Sequence, residues 1–316
     1  MFTAIVSIAG LVASAYLGRR ELTRRKESGD RSGMGWGITF CIMQAIAVAL
    51  GFLGMAPDDI LSPIILNAVL TACAWASFAR DITWARIESY MRFGDELAAR
   101  TFRPDCGACD KYDACAHRIT RDEELSRIGR LGRKLRGRVH ELRIALHRPT
   151  AVCVMLLLLA GLFAMLGLET PSNHDLTWCY PLCILLEWAL ITAVMVGLFY
   201  LFQRRGGAPA FIAFLCWGIG MAQFFVITFK SMPIQPADLS ALGTAAAVSG
   251  GFTYIFSAFG LYGMALLAIS MLLCSLAGVF RPEPAKRNRR LFLTNLLIGA
   301  LCLVGVGAHV TLIDYY

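Results

Sequence analysis

Long apolar runs alternate with short polar gaps along almost the whole chain. The runs fall at about 1–18, 34–55, 60–79, 150–168, 180–203, 209–229, 253–280 and 291–313. Each is close to the roughly 20 mainly apolar residues that a helix needs to cross a bilayer. No amphipathic period stands out inside them, as expected of helices that face lipid and are apolar all round. The pattern predicts an all-α, polytopic integral membrane protein of about eight transmembrane helices. Its parts are a three-helix N-terminal membrane segment (1–79), a basic cytoplasmic loop (80–149) and a five-helix membrane domain (150–316).

The long loop has its own pattern. Ile82, Trp84, Ile87, Met91 and Phe93 extend the third helix through 80–100, and residues 122–147 read as an amphipathic helix. Leu125, Ile128, Leu131, Leu135, Val139, Leu142 and Leu146 recur there at three- and four-residue steps, with arginines on the other face. Asp122 is placed to cap that helix, followed by Glu123 and Glu124 in its first turn. Gly129, Gly132 and Gly137 weaken it by about 1 kcal/mol each relative to Ala. Two placements fit such a helix: flat on the inner leaflet, or packed against the extended third helix as a hairpin.

Charge adds orientation. The chain is 57% apolar and 16% charged, against roughly 25% charged in a soluble protein. Of its 30 Lys and Arg residues, 29 lie in alternate gaps: six from Arg19 to Arg31, sixteen from Arg80 to Arg148, Arg204 with Arg205, and five from Arg281 to Arg290. Basic residues are retained on the cytoplasmic side. The expected topology therefore has both termini outside and 80–149 in the cytoplasm of a plasma-membrane protein. The charges after the first run (Arg19, Arg20, Arg24) argue for an N-out helix over a cleaved signal peptide. The net charge of +8 is thus a topology signal. No nucleic-acid partner is expected, since neither a phosphate-cradling Gly loop nor a base-stacking aromatic motif is present.

Seven of the eleven cysteines lie within the apolar runs, so the set is not a disulfide framework. Cys106, Cys109, Cys115 and His117 cluster in the cytoplasmic loop. A Cys-x-x-Cys half-site with a further Cys and His is a donor set for structural zinc; free thiols on a polar loop are the alternative.

Ionisable residues inside the runs are few. Glu187 sits about six residues, roughly 9 Å, below the outer end of the fifth helix, and His309 lies at a similar depth in the eighth. Lys230 ends the sixth helix at the outer surface. Such residues are functional candidates because isolation in lipid is costly. Lys230 suits a lipid phosphate, and Glu187 or His309 a glycerol hydroxyl; a structural Glu187–Lys230 pair is the competing reading. After Lys230, Pro233 and Pro236 fix an extended turn and Asp238 caps a helix at 239–248 that is too short to span. This predicts a short re-entrant or interfacial helix on the outer face.

The segment Pro233, Pro236, Asp238, Leu239 resembles a loop in the membrane domain of lipoteichoic acid synthase-like proteins. These are phosphoglycerol transferases whose extracellular catalytic domain belongs to the alkaline phosphatase/sulfatase superfamily. The resemblance covers roughly 150–316 and extends to helix order. It implies a membrane anchor and lipid-presenting domain, phosphatidylglycerol as donor, and an extracytoplasmic catalytic domain in cis or in trans. A catalytic divalent metal would come only with that domain. The sequence stops at Asp314-Tyr315-Tyr316, where the family's catalytic domain begins, and carries neither its threonine nucleophile nor its metal ligands. A fragment, a truncated product and a stand-alone homologue all fit. Two other classes remain open: a transporter or permease, and a metal- or redox-responsive membrane regulator acting through Cys106–His117.

Overall fold

The computed structural model describes residues 2–25, 34–57, 59–79, 148–172, 181–232, 255–278 and 289–313. The described chain is helical, with eight helices long and apolar enough to cross a membrane. They are α1 (Phe2–Arg25), α2 (Met34–Phe52), α3 (Leu61–Phe78), α4 (Arg148–Glu169), α5 (Pro181–Leu201), α6 (Gly207–Lys230), α7 (Ala258–Ala277) and α8 (Arg289–Ile313). The protein is a multi-pass membrane protein. Apolar side chains confirm the lipid-facing surface: Ile38, Ile42 and Ile46 form one exposed stripe on α2, and Leu293, Leu297, Leu301 and Val304 another on α8. Stripes of that length would be an aggregation liability in water and are the expected face in lipid.

Helix ends follow local chemistry. Asp59 receives hydrogen bonds from the backbone N–H of Ser62 (2.9 Å) and from its hydroxyl, closing the start of α3. Ser257 caps α7 by accepting from the Gly260 N–H at 3.0 Å, so that helix begins at Ala258, later than the apolar run predicts. Lys230 is the last residue of α6, followed by Ser231 in the left-handed region (φ 58°).

The first three helices interlock around polar and small residues. Asn67 of α3 donates to Ser7 of α1 at 2.8 Å, and Gln44 of α2 donates to Thr71 of α3 at 2.9 Å. The Phe78 ring fills the space left by Gly18 of α1 and Gly37 of α2. These contacts set α1 parallel to α3 and α2 antiparallel to both. The backbone N–H of Phe256 donates to the Met55 carbonyl at 2.7 Å, joining the chain before α7 to the chain after α2.

Among the remaining helices, α4 and α7 pack antiparallel with small residues in register. Cys153 donates to the Ala277 carbonyl at 3.4 Å, Ser270 donates to the Ala160 carbonyl at 2.8 Å, and Gly167 faces Gly263. Contacts recurring every seven residues on both helices make a close seam of small side chains, the kind that drives association where lipid removes the hydrophobic effect between helices. α6 runs antiparallel to α7, with Phe225 edge-on to Phe256 at 5.9 Å and Gly206 against the Cys274 carbonyl. α8 pairs antiparallel with α5, Gly197 facing Cys302 and Leu303 and Leu201 facing Gly299. Of the spans, α7 is the most enclosed and α8 the least.

These registers put the described basic residues flanking α1, α5, α6 and α8 at one end of the bundle. Lys230 is the one described basic residue at the opposite end. These helices, α4 from Cys153 onward, belong to a unit of Met1–Arg80 with Cys153–Tyr316, and Asp81–Val152 is assigned to a second. The predicted extension at 80–100, the amphipathic helix at 122–147 and the short helix at 239–248 lie outside the described residues. α4 starts at Arg148, slightly before the predicted 150.

Candidate functional site

Opposite the arginine-bearing end, α5 begins, and α6 and α8 finish. Glu187 is half-buried on the first half of α5 and His309 half-buried on the last turns of α8. Continuing the antiparallel register of Leu201 with Gly299 places Glu187 and His309 within about one helical turn of each other along the bundle axis, roughly 6 Å. His309 lies seven residues beyond Cys302, on the stripe of α8 that faces α5, and its Nε2 is buried without a hydrogen-bond partner. Trp188, next to Glu187, donates to the Leu158 carbonyl at 2.9 Å and holds this stretch of α5 against α4. Cys216 of α6 is within electrostatic range of the Glu187 carboxyl. The register thus puts two of the candidate residues within about one turn in depth on one helix pair, with the Lys230 backbone in the same half of the bundle. Pro233, Pro236 and Asp238 lie outside the described residues, as do Cys106, Cys109, Cys115 and His117. Among the described residues, no group of three or more His, Cys, Asp or Glu side chains is placed to hold a metal.

Two polar centres escape a reading of the sequence alone. The first is the amide network of α1–α3. Asn67 is 3% exposed and Gln44 wholly buried, and the Asn67 Oδ1 and Gln44 Oε1 acceptors have no partner. Asn67 and Thr71 line a groove of about 490 Å³ between α1 and α3, together with Gly10, Ile64 and Trp75. Ile64 and Trp75 are also exposed, so the groove opens toward lipid.

The second centre is the turn between α5 and α6, at the arginine-bearing end. The Arg204 N–H reaches back to the Phe199 carbonyl (2.7 Å) and the Gln203 N–H to the Tyr200 carbonyl (3.0 Å), a Schellman closure of α5. Both Gln203 (φ 57°) and Arg204 (φ 61°) sit in the left-handed region. For side chains with a Cβ that conformation costs about 1–2 kcal/mol each. Packing holds them there. Gln203 accepts from Asn295 Nδ2 at 3.1 Å, and Gly206 presses on the Cys274 carbonyl where any side chain would collide. The consequence is a buried cation: Arg204 is 9% exposed, its guanidinium lies 5.4 Å from the centre of the Tyr200 ring, and its Nε is buried with no acceptor. The ring face offers a partial partner, worth about 0.5–2 kcal/mol. An ion taken from water without a counter-charge costs several kcal/mol.

Comparison with known protein families, with curated proteins and with solved structures finds no match to this chain.

Proposed function

We propose that this chain is the membrane anchor and lipid-presenting domain of a lipoteichoic acid synthase-like phosphoglycerol transferase, seated in the plasma membrane and working at its outer face. The supporting observation is that the register of α5 on α8 brings Glu187 and His309 within about one helical turn in depth, in the half of the bundle where α6 ends at Lys230. That end lacks the arginines that mark the cytoplasmic side. A carboxyl and an imidazole just below the headgroup level suit the hydroxyls of a glycerol headgroup, and Lys230 suits its phosphate. The donor is phosphatidylglycerol, and the chemistry itself belongs to an extracytoplasmic catalytic domain in cis or in trans, with its own divalent metal.

Native mass spectrometry of the detergent-purified chain tests this reading. Lys230→Ala is expected to lower phosphatidylglycerol occupancy roughly fivefold, the equivalent of about 1 kcal/mol for one interfacial cation. Unchanged occupancy in Lys230→Ala and in Glu187→Gln would remove the lipid-presenting role. The groove beside Asn67 and Thr71 is the one observation that favours a permease instead. Solute uptake into vesicles that is abolished by filling the groove with Gly10→Leu would select that reading. For the cytoplasmic cluster, zinc retained through purification and lost in Cys109→Ser would select a metal-clipped loop over free thiols.

A further inference from the structure

We propose that Arg204 is the cationic centre of a phosphate-binding site at the arginine-bearing end of the bundle, distinct from the Glu187–His309 end, and that it takes the phosphodiester of a membrane phospholipid.

Four observations converge on an anion of this kind. Arg204 is more than nine-tenths buried, and its Nε finds no acceptor. Its backbone is locked in the left-handed region by the closure of α5, and its guanidinium is held over the Tyr200 ring, so the cation is set in place before any ligand arrives. The helix that starts immediately afterwards, α6, has Gly206 at its N-cap with no side-chain capping bond and no acidic residue in its first turn. Neither a capping side chain nor an acidic residue of its own first turn meets the positive end of its dipole, which favours an anion. Finally, the site lies at the end of the spans, at the level where lipid headgroups pack.

A guanidinium presents paired N–H donors that match two oxygens of a phosphate. A bilayer supplies phosphodiesters at that depth at very high local concentration. Free inorganic phosphate offers the same recognition chemistry, so the test separates the two sources.

The full-length chain is stripped of lipid in detergent and titrated, in parallel, with a short-chain phosphatidylglycerol and with inorganic phosphate, and adducts are counted by native mass spectrometry. Arg204→Gln is expected to lower the phosphatidylglycerol adduct by roughly tenfold or more at fixed lipid, the loss expected for one charge-assisted hydrogen-bonded contact. Arg205→Gln, an exposed neighbour, changes it less than about twofold. Inorganic phosphate bound in an Arg204-dependent way, with lipid binding unaffected by Arg204→Gln, would overturn the lipid as ligand and leave a soluble anion. Equal adducts of both probes in wild type and Arg204→Gln would overturn the site. Should Arg204→Gln fail to fold, the wild-type chain is treated with phenylglyoxal with and without phosphatidylglycerol. Protection of Arg204 but not of Arg205 supports the site, and equal modification of Arg204 in both conditions overturns it. Because Lys230→Ala acts at the other end of the bundle, each fold-change is read on the adduct that remains once the other residue is replaced: Arg204→Gln is scored in the Lys230→Ala background, and Lys230→Ala in the Arg204→Gln background.

Discussion

Asn67 and Gln44 show how the same residue class carries different weight once its partners are known. Asn67 spends both donors of its amide, one on the Ser7 hydroxyl at 2.8 Å and one on the Pro63 carbonyl at 2.9 Å, and thereby ties α3 to α1. Gln44 makes one bond, to Thr71, and leaves its carbonyl oxygen buried and unpartnered. Both amides bond across helices and both leave their carbonyl oxygen unpartnered, but Asn67 gives up two bonds, one of them to the wholly buried Ser7, while Gln44 gives up one, to the half-buried Thr71. Asn67→Leu should therefore destabilise the fold by about 1–2 kcal/mol, and Gln44→Leu by less than about 0.5 kcal/mol. Unfolding in mixed detergent micelles measures both, and equal losses would show that both amides act through packing alone. Neither role was legible in the sequence. Each is a single polar residue inside an apolar run, and Asn67 meets Ser7 across sixty positions that only the helix register brings together.

At the scale of elements, the controlling features are the closures and seams. The α4–α7 seam depends on Ala160 and Ser270 being small, since the Ser270 hydroxyl reaches the Ala160 carbonyl at 2.8 Å. Ala160→Leu is expected to force the helices apart and cost about 1–3 kcal/mol, the usual result of overpacking a close contact. Gly206→Val should be worse, because a Cβ there collides with the Cys274 carbonyl and a flexible neighbour cannot give way. At α3, Asp59→Ala removes the acceptor for the Ser62 N–H and should cost about 1 kcal/mol. Thermal unfolding of the purified variants ranks the three, and Asp59→Ala should fall the least. The helices themselves were legible, since a run of about 20 apolar residues admits little else in a bilayer. Their ends were less so. Hydropathy runs past Ser257 without a break, and it is the hydroxyl bonding the Gly260 N–H that sets the start of α7. Arg204 could be read only as one more cytoplasmic charge. Its burial arises in the turn after α5, where the helix closure sets Arg204 over Tyr200 and Asn295 of α8 holds the neighbouring Gln203, which no local pattern encodes.

For the whole molecule, the governing question is which way the bundle faces. The described arginines gather at one end of the helices while Lys230 stands at the other. A bundle that segregates charge in this way is oriented by it, because each Lys or Arg near a helix end resists translocation. The arginine-bearing end should face the cytoplasm, with Glu187, His309 and Lys230 toward the outside. Alkaline phosphatase, which folds only outside the cytoplasm, should be active when inserted in the gap between α4 and α5 and inactive between α5 and α6. A fluorescent protein at the same positions should give the reverse. Arg204 and Arg205 are the basic residues of their short turn, whereas sixteen lie between Arg80 and Arg148. Arg204→Gln with Arg205→Gln should therefore leave the overall orientation intact, with unchanged reporter signals before α5 and a partial loss of sidedness confined to the turn. Four lysines added between α4 and α5 oppose the sixteen directly, and are expected to hold that gap inside and strand α4 or α5 in part of the population. Reporter activity that stays fully outside after both changes would mean that packing along the α4–α7 seam, and not charge, decides how the protein is threaded.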